Sequence, residues 1–477
     1  MQAVFSKAPI PYRRVESLSL LHREGEAVAL NETGTRIWDL IDGNRTAEDL
    51  AAEFSRDYPS DLKGSIASKV EQFLTTLFRL GVLKISGAES SLEGVAVEPS
   101  GAQGEAEMPA DVKRGIDPMK SVCMTPKHEI REALSTSEKI EQLYWEKRYI
   151  QKMHLELTYR CNFRCVHCYN ATHTGAETEM TTKEWCSALE QLEQLGCHTV
   201  TFTGGEVFVR KDAPEIMQAA CDRAFSILIN TNGSLINEPL LQKLESMRPF
   251  LRMLEVSFYG ATPTVHDTLA RRPGSYQSTL RALKLLIEAR IPVMAKYVTM
   301  RDNYDGIPRF KHDMQELRVR HEVSTGLLIP KTNRDESPLV QILTDDQFKQ
   351  MLVETNGAGM AEGSEVGNCR PGYVRGAITP DGNVSPCEWL TDFKLGNIRE
   401  KSLTEIWYSQ PFLNFRKIFD EEPECHTCEL RSGCQRCPAQ SYLETGNLLH
   451  CAPVPSHYAE LYQEYRKSQT ERQSHHV

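Results

Sequence analysis

Between residues 66 and 80, apolar side chains fall at Ile66, Val70, Phe73, Leu74, Leu77 and Leu80. That spacing puts them on one face of a helix, which Gly81 closes. Ahead of it, 18–22 and 27–30 read as short strands, and 33–41 and 46–54 as short helices. Thr46 suits the second N-cap, with Asp49 on the first turn. From 87 to 110 the pattern gives way to Gly, Ser, Ala, Glu and Pro without aromatics, a composition that cannot bury enough to order itself and reads as a flexible linker. A helical pattern resumes over 129–152. Beyond it strand patterns at 153–158, 198–203, 226–230, 253–258, 293–299 and 323–329 alternate with helical ones at 185–195, 213–223, 237–247, 276–289 and 309–317. Six strands separated by crossover helices imply a parallel barrel or open α/β sheet. The tail from 458 reads as helical at first and then frayed.

At 477 residues, the chain is long enough for about three domains. Its net charge of −10 argues against a binder driven by phosphate contacts. Neither a secretory signal nor eighteen consecutive apolar residues occur, so a soluble, cytoplasmic protein without a membrane partner is expected. In that setting the 14 cysteines are unlike a disulfide framework. Ten fall within 161–168 and 369–451, whereas Cys123, Cys186, Cys197 and Cys221 stand apart as ordinary small apolar residues.

The first group is Cys161-Asn-Phe-Arg-Cys165-Val-His-Cys168, on a loop leaving the carboxyl end of the first barrel strand, where α/β folds place their chemistry. Zinc wants four ligands, commonly as paired knuckles, and fits three thiols on one loop poorly. Three thiolates can instead hold three irons of a [4Fe–4S] cubane and leave the fourth iron open. This spacing, with His167 before the last cysteine, resembles the radical S-adenosylmethionine (SAM) superfamily. The resemblance implies a partial (β/α)6 TIM-type barrel whose open iron binds SAM, and one-electron cleavage of SAM to a hydrogen-abstracting 5′-deoxyadenosyl radical. The electron would come from a donor such as flavodoxin or ferredoxin.

Further signatures follow the strands. Thr203-Gly204-Gly205-Glu206 ends the second; its glycines would let backbone approach a ligand and Glu206 accept from an ammonium. In the family this segment contacts the methionine amino group of SAM. Asn230-Thr-Asn-Gly233 ends the third and reads equally well as a plain turn. Ser257 ends the fourth in Val-Ser-Phe-Tyr-Gly260, where relatives often read Ser-Leu-Asp-Gly, and would touch the SAM carboxylate or ribose. His266-Asp267…Arg271…Pro273-Gly-Ser-Tyr276 follows the same resemblance, which offers Arg271 as a carboxylate partner, a solvated arginine being the commoner reading. Tyr259, His266, Tyr297 and His321 are general-base candidates by position alone, with core or surface roles favoured.

The second cysteine group runs Cys369-x12-Gly382-x4-Cys387, then Cys425-x2-Cys428-x5-Cys434-x2-Cys437 and Cys451. A zinc ribbon is one reading. The lead Thr379-Pro-Asp-Gly-Asn-Val-Ser-Pro-Cys387, with Leu395-Gly-Asn-Ile398 before Leu403 and Trp407, resembles the SPASM extension of peptide-modifying radical SAM enzymes. That resemblance implies one or two auxiliary iron–sulfur clusters. Cys425, Cys428, Cys434 and Cys451 would hold the distal one; Cys369, Cys387 and Cys437 would hold the proximal one. The family usually has three residues, not two, between its penultimate cysteines, so the ligand assignment could shift. No cysteine lies between Cys221 and Cys369, which leaves the proximal cluster one thiolate short. A non-cysteine ligand, an open iron or a smaller cluster would each answer that.

The small N-terminal α+β segment has the strand-and-helix order of a winged helix. Its pattern Leu30-Asn-Glu-Thr-Gly34…Ile37-Trp38…Leu40-Ile-Asp-Gly43…Arg45-Thr46 resembles the PqqD-like family, which implies capture of the leader of a ribosomally made precursor peptide as an added strand. The expected organisation is therefore a leader-recognition domain over 1–86, a linker over 87–127, a radical SAM core over 128–350 and a SPASM domain over 365–460. The resulting expectation is an enzyme that cross-links or otherwise oxidises a precursor peptide. The alternatives are the same chemistry on a whole protein, such as a sulfatase or dehydrogenase, and a non-catalytic metal-binding DNA reader.

Overall fold

The computed structural model describes residues 4–23, 26–56, 63–86, 136–176, 178–326, 328–357, 360, 369–420 and 427–474. The expected linker, the first residues of the helix after it, Cys123 and Cys425 lie outside the described residues. The chain forms two compact units. One comprises the described residues through 86, the helix ending at Lys147 and residues 224–226; the other comprises the rest.

In the first unit, strands β1 (Val4–Lys7), β2 (Tyr12–Val15), β3 (Leu18–Arg23) and β4 (Glu26–Leu30) precede helices α1 (Glu32–Leu40), α2 (Ala47–Phe54) and α3 (Lys63–Arg79). Strand β5 (Leu83–Ser86) and helix α4 (Thr136–Lys147) follow. β2, β3 and β4 make an antiparallel sheet in that order, and β1 pairs antiparallel with β5. Asn31 caps α1 by accepting from the Gly34 N–H at 2.8 Å. Thr46 and Asp49 form a reciprocal capping box on α2. The apolar stripe of α3 enters the core through Val70, Leu74 and Leu77, packed with Leu21, Trp38 and Leu50. β1, β2 and β5 did not declare themselves in the sequence: each has four residues, and β1 and β5 are partners across most of the unit.

The second unit is built on β6 (Lys152–Thr158), α5 (Thr182–Gln194), β7 (Thr199–Gly204), α6 (Ala213–Asp222), β8 (Ser226–Thr231), α7 (Glu238–Met247), β9 (Leu251–Phe258), α8 (Pro263–Ala270), α9 (Ser275–Glu288), β10 (Val293–Tyr297), α10 (Ile307–Glu316) and β11 (Arg320–Val323). Then come α11 (Asp345–Thr355), β12 (Arg375–Ile378), β13 (Asn383–Ser385), β14 (Gly396–Asn397), α12 (Leu403–Trp407), α13 (Gln410–Lys417), α14 (Pro438–Thr445) and α15 (Pro453–Ser474). The fold is α/β: six strands, β6 to β11, lie in sequence order in one sheet. β12 joins it parallel to β6, and the β13 hairpin extends it, so the cysteine-rich segment continues the barrel sheet.

The last barrel strand sits earlier than its apolar run suggested, at Arg320–Val323 rather than 323–329. Pairing with β10 fixes Met294 opposite Arg320 and Tyr297 opposite Val323. Ser324 then leaves the ladder to bond Thr299, while Leu328 and Ile329 are core residues. α8 and α11 were also unforeseen, although Thr262-Pro263 and the Thr344–Gln347 capping box announce them. The C-terminal helix continues to Ser474, further than a frayed tail implied.

Successive strand residues point to opposite faces. One face is apolar and covered by helices, as where Phe258 and Tyr297 meet Phe310 of α10. The other is polar. His154 and Glu156 of β6 stand level with Thr201 and Thr203 of β7, Asn230 with Glu255, and Ser257 with Lys296.

Candidate active site

The cysteine loop leaves β6 and is pinned at both flanks. Arg164 and Val166 donate their N–H groups to the Ala270 and Leu269 carbonyls, using acceptors that the end of α8 cannot satisfy itself. Asn162 bridges to the turn after β8: its Oδ1 accepts from Asn232 at 2.9 Å and its amide donates to Ser234 at 2.9 Å. Asn230–Gly233 is therefore more than a plain turn. Phe163, Tyr259, Leu269, Met300 and Leu328 form an apolar cluster against which Cys161 and Cys165 pack.

Burial pushes the Cys161 thiol up to about 11 and raises Cys165 and Cys168 as well. The charges of Cys161 and Cys168 bear on Cys165. Tyr259 hydrogen-bonds both Cys165 and Ser257, and burial holds its own phenol protonated. His167 packs at a tilt against Tyr259 with ring centroids 4.8 Å apart; its Nδ1 is buried and makes no hydrogen bond.

The Gly204-Gly205 pair lies directly against the root of this loop. Gly205 donates to Thr158 O at 2.7 Å and Glu206 to Arg160 O at 2.9 Å. A Cβ at Gly204 would come within 2.4 Å of Thr158 O, and one at Gly205 within 2.4 Å of Arg160 O. The close approach that the glycines permit is that of backbone to backbone. The buried Glu206 carboxylate accepts from Phe208 N, Thr231 Oγ1 and Asn232 N, the last two at 2.7 and 2.8 Å. It thereby ties the end of β7 to the end of β8.

Ser257 is half-buried on the polar strand face, and Arg271 is exposed at the left-handed C-cap of α8. His266 is buried against Ser275 at 2.9 Å, and the neighbouring Asp267 carboxylate accepts from Gly274, Ser275 and Tyr276 at the start of α9. Tyr297 donates to Asn303 O, and His321 packs on Phe310. These three general-base candidates have structural engagements.

A second group of chemistry-bearing side chains was missed in the sequence. Glu156 is fully buried, accepts from Tyr159 OH at 3.1 Å and leaves Oε1 without a partner. Burial pushes its carboxyl up to about 8. His154, two residues earlier on the same face, faces Glu388 at 3.6 Å and is pushed down to about 4 by burial. The signal was available: charged residues at alternate positions of a strand buried on both sides must find one another.

Cys369, Cys387 and Cys437 gather beside this group. Burial raises all three thiols, Cys437 to about 12, and each responds to the charge of Glu388. Cys428 and Cys434 flank the 3-10 turn Glu429–Gly433, and Cys451 lies just before α15.

Among the described residues no three His, Cys, Asp or Glu side chains converge on a point for one metal ion. The donor chemistry suits a larger body: each set offers three thiols, and the first packs on an apolar cluster with the unpartnered His167 nitrogen beside it.

A parallel α/β sheet with a thiol-bearing loop at the carboxyl end of its first strand defines a class, and family comparison supplies it. Residues 155–314 match the radical SAM superfamily, 369–429 the SPASM iron–sulfur cluster-binding domain and 18–83 coenzyme PQQ synthesis protein D. The chain is a radical SAM enzyme that also carries SPASM and PqqD domains; these imply a [4Fe–4S] cluster, SAM and auxiliary iron–sulfur clusters. It is 28% identical over 331 residues to the PqqA peptide cyclase of Granulibacter bethesdensis, covering 64% of this chain and 87% of that one. It is also 28% identical over 334 residues to the AdoMet-dependent heme synthase of Methanosarcina barkeri, covering 62% and 94%. In fold it resembles Streptococcus suis SuiB bound to precursor peptide SuiA, with a TM-score of 0.58 at 15% identity over 95% of this chain and 100% of that one. Among the described residues no helix is long and apolar enough to cross a membrane.

Proposed function

We propose that this enzyme oxidatively modifies a ribosomally made precursor peptide, closing a cross-link within it. The carrying observation is the PqqD domain on the same chain as the radical SAM and SPASM domains. The relatives named for a PqqA peptide and for a precursor peptide complex point the same way. Residues 1–86 bind the leader, whose strand adds to an edge of the β2–β3–β4 sheet. The tether over 87–127 keeps the core peptide near the barrel of residues 128–350 at high effective concentration. Residues 365–460 form the auxiliary-cluster domain. The enzyme works in the cytoplasm and draws electrons from a flavodoxin- or ferredoxin-type donor.

Cys161, Cys165 and Cys168 hold the SAM-binding cluster, with Gly204, Gly205, Glu206, Ser257 and Arg271 toward SAM. Cys369, Cys387 and Cys437 hold one auxiliary cluster, and Cys425, Cys428, Cys434 and Cys451 the other. When bound, the first cluster supplies the electron that cleaves SAM so that a hydrogen atom can be taken from the peptide. Within the chain, Asn162, Asn232 and Ser234 fix the loop, and Glu206 also holds two strand ends in register. Phe163, Tyr259 and Met300 keep water from the thiols. Glu156 holds a proton on the polar strand face. Removing two hydrogens from the peptide as the cross-link closes releases two electrons and two protons, one of each as the abstracted hydrogen atom. The second proton goes to a basic group or water, and the clusters that Cys369, Cys387 and Cys437 and the later cysteines would hold could supply the acceptor for the second electron.

Co-expression with a short peptide encoded beside the gene, under reducing conditions, tests this. The peptide should lose two hydrogens by mass, and the loss should vanish with Cys165→Ala. An unchanged mass for every adjacent peptide, with a change in a whole-protein partner, would overturn it.

A further inference from the structure

We propose that the Glu388 carboxylate is the fourth ligand of the iron–sulfur cluster held by Cys369, Cys387 and Cys437. This rests on the assignment of those three thiols to one cluster. A cubane has four irons to hold, yet no cysteine lies between Cys221 and Cys369, and Cys221 is buried on α6.

Glu388 follows Cys387 immediately, where Leu390 N bonds back to Cys387 O at 3.0 Å. Its side chain lies against the thiol, with the Cys387 Sγ donating to Oε2 at 3.2 Å. Glu388 is also the carboxylate whose charge reaches Cys369, Cys387 and Cys437 alike. His154 faces Glu388 from β6. Its Nδ1 stands 3.6 Å from Oε1 of Glu388, the oxygen turned away from Cys387. A carboxylate presenting one oxygen to a metal while an imidazole steadies the other is a common arrangement of ligand and supporting group.

Oxygen ligation is within the chemistry of iron. It has a functional consequence: an iron closed by Glu388 has no position for a substrate thiolate. This cluster would then carry electrons rather than anchor the peptide.

The test uses the full chain with Cys161, Cys165 and Cys168 replaced by Ala, reconstituted with iron and sulfide, so that only auxiliary clusters remain. Carbon-13 cyanide is added to the reduced protein, and pulsed electron paramagnetic resonance reads whether it binds iron. The parent should show no carbon-13 coupling, E388A should acquire it at unchanged iron content, and E388C should abolish it again. If E388A loses one cluster's iron, recovery in E388C but not in E388Q supports the same ligation. Cyanide coupling already present in the parent, or E388A matching the parent in iron and cyanide response, overturns the proposal. An unchanged auxiliary iron content in Cys437→Ala would instead show that the three-thiol assignment has failed, whatever Glu388 does.

Discussion

Gly205→Ala isolates the contact that seats the cysteine loop. The new Cβ would meet Arg160 O at 2.4 Å and Tyr159 O at 2.5 Å, both backbone atoms. Relief requires the loop or β7 to retreat by about 1 Å, at an overpacking cost of roughly 1–3 kcal/mol. The same retreat stretches the 2.7 Å bond from Gly205 N to Thr158 O and the 2.9 Å bond from Glu206 N to Arg160 O, each worth about 1 kcal/mol. For a unit of this size a loss of about 2–4 kcal/mol lowers the melting midpoint by roughly 3–6 °C. A displacement of about 1 Å at a reacting centre can cost about 100-fold in rate. Formation of 5′-deoxyadenosine with dithionite and SAM should fall on that order, with iron content measured in parallel. Gly196→Ala is the control: its φ is +75° but nothing lies within 4 Å of the added carbon, so it carries conformational strain of about 1 kcal/mol without displacing the loop. Near-normal turnover in Gly205→Ala would refute the reasoning.

Burial pushes Glu156 up to about 8, above the value of about 4.3 in an unfolded chain. The folded protein therefore keeps a proton that the unfolded chain releases; this stabilisation is full below about pH 4 and is lost as pH rises through about 8. Glu156→Gln should flatten the fall of the melting midpoint between those limits, and an unaltered slope would mean that Glu156 is ionised when folded. Thr46→Ala removes the capping box on α2 and should cost about 1 kcal/mol, read as roughly fivefold faster amide exchange at Leu50 and Phe54. Deleting residues 1–86 should abolish binding of a fluorescent leader peptide while leaving 5′-deoxyadenosine formation without peptide within about threefold; retained leader binding would place recognition elsewhere.

Much of this was legible because the informative positions obey local rules. The α3 stripe and the Thr46 cap are consequences of helical spacing, and the six-strand alternation follows from β-strands that must be covered on a face by crossover helices. The thiol groups were visible through spacing alone. What sequence could not show was assembly over distance. β1 and β5 exist because they pair with each other, and β11 took its register from β10 rather than from the apolar run that follows it. Gly204 and Gly205 were legible as a point of close approach, but that the carbonyls of residues 158–160 lie against them was not. Glu156, His154 and Glu388 come from two segments far apart in sequence, and only the junction of β12 with β6 brings them together.

The most direct test of a peptide-modifying function is isotope transfer. A precursor peptide deuterated at the side chains of its core is incubated with enzyme, SAM and reductant, and the 5′-deoxyadenosine formed is weighed by mass spectrometry. Deuterium in that product, at a level matching the modified peptide, is the predicted result. Unlabelled 5′-deoxyadenosine alongside a modified peptide would contradict abstraction from those core side chains, and an unmodified peptide alongside a labelled protein partner would place the substrate outside the peptide class.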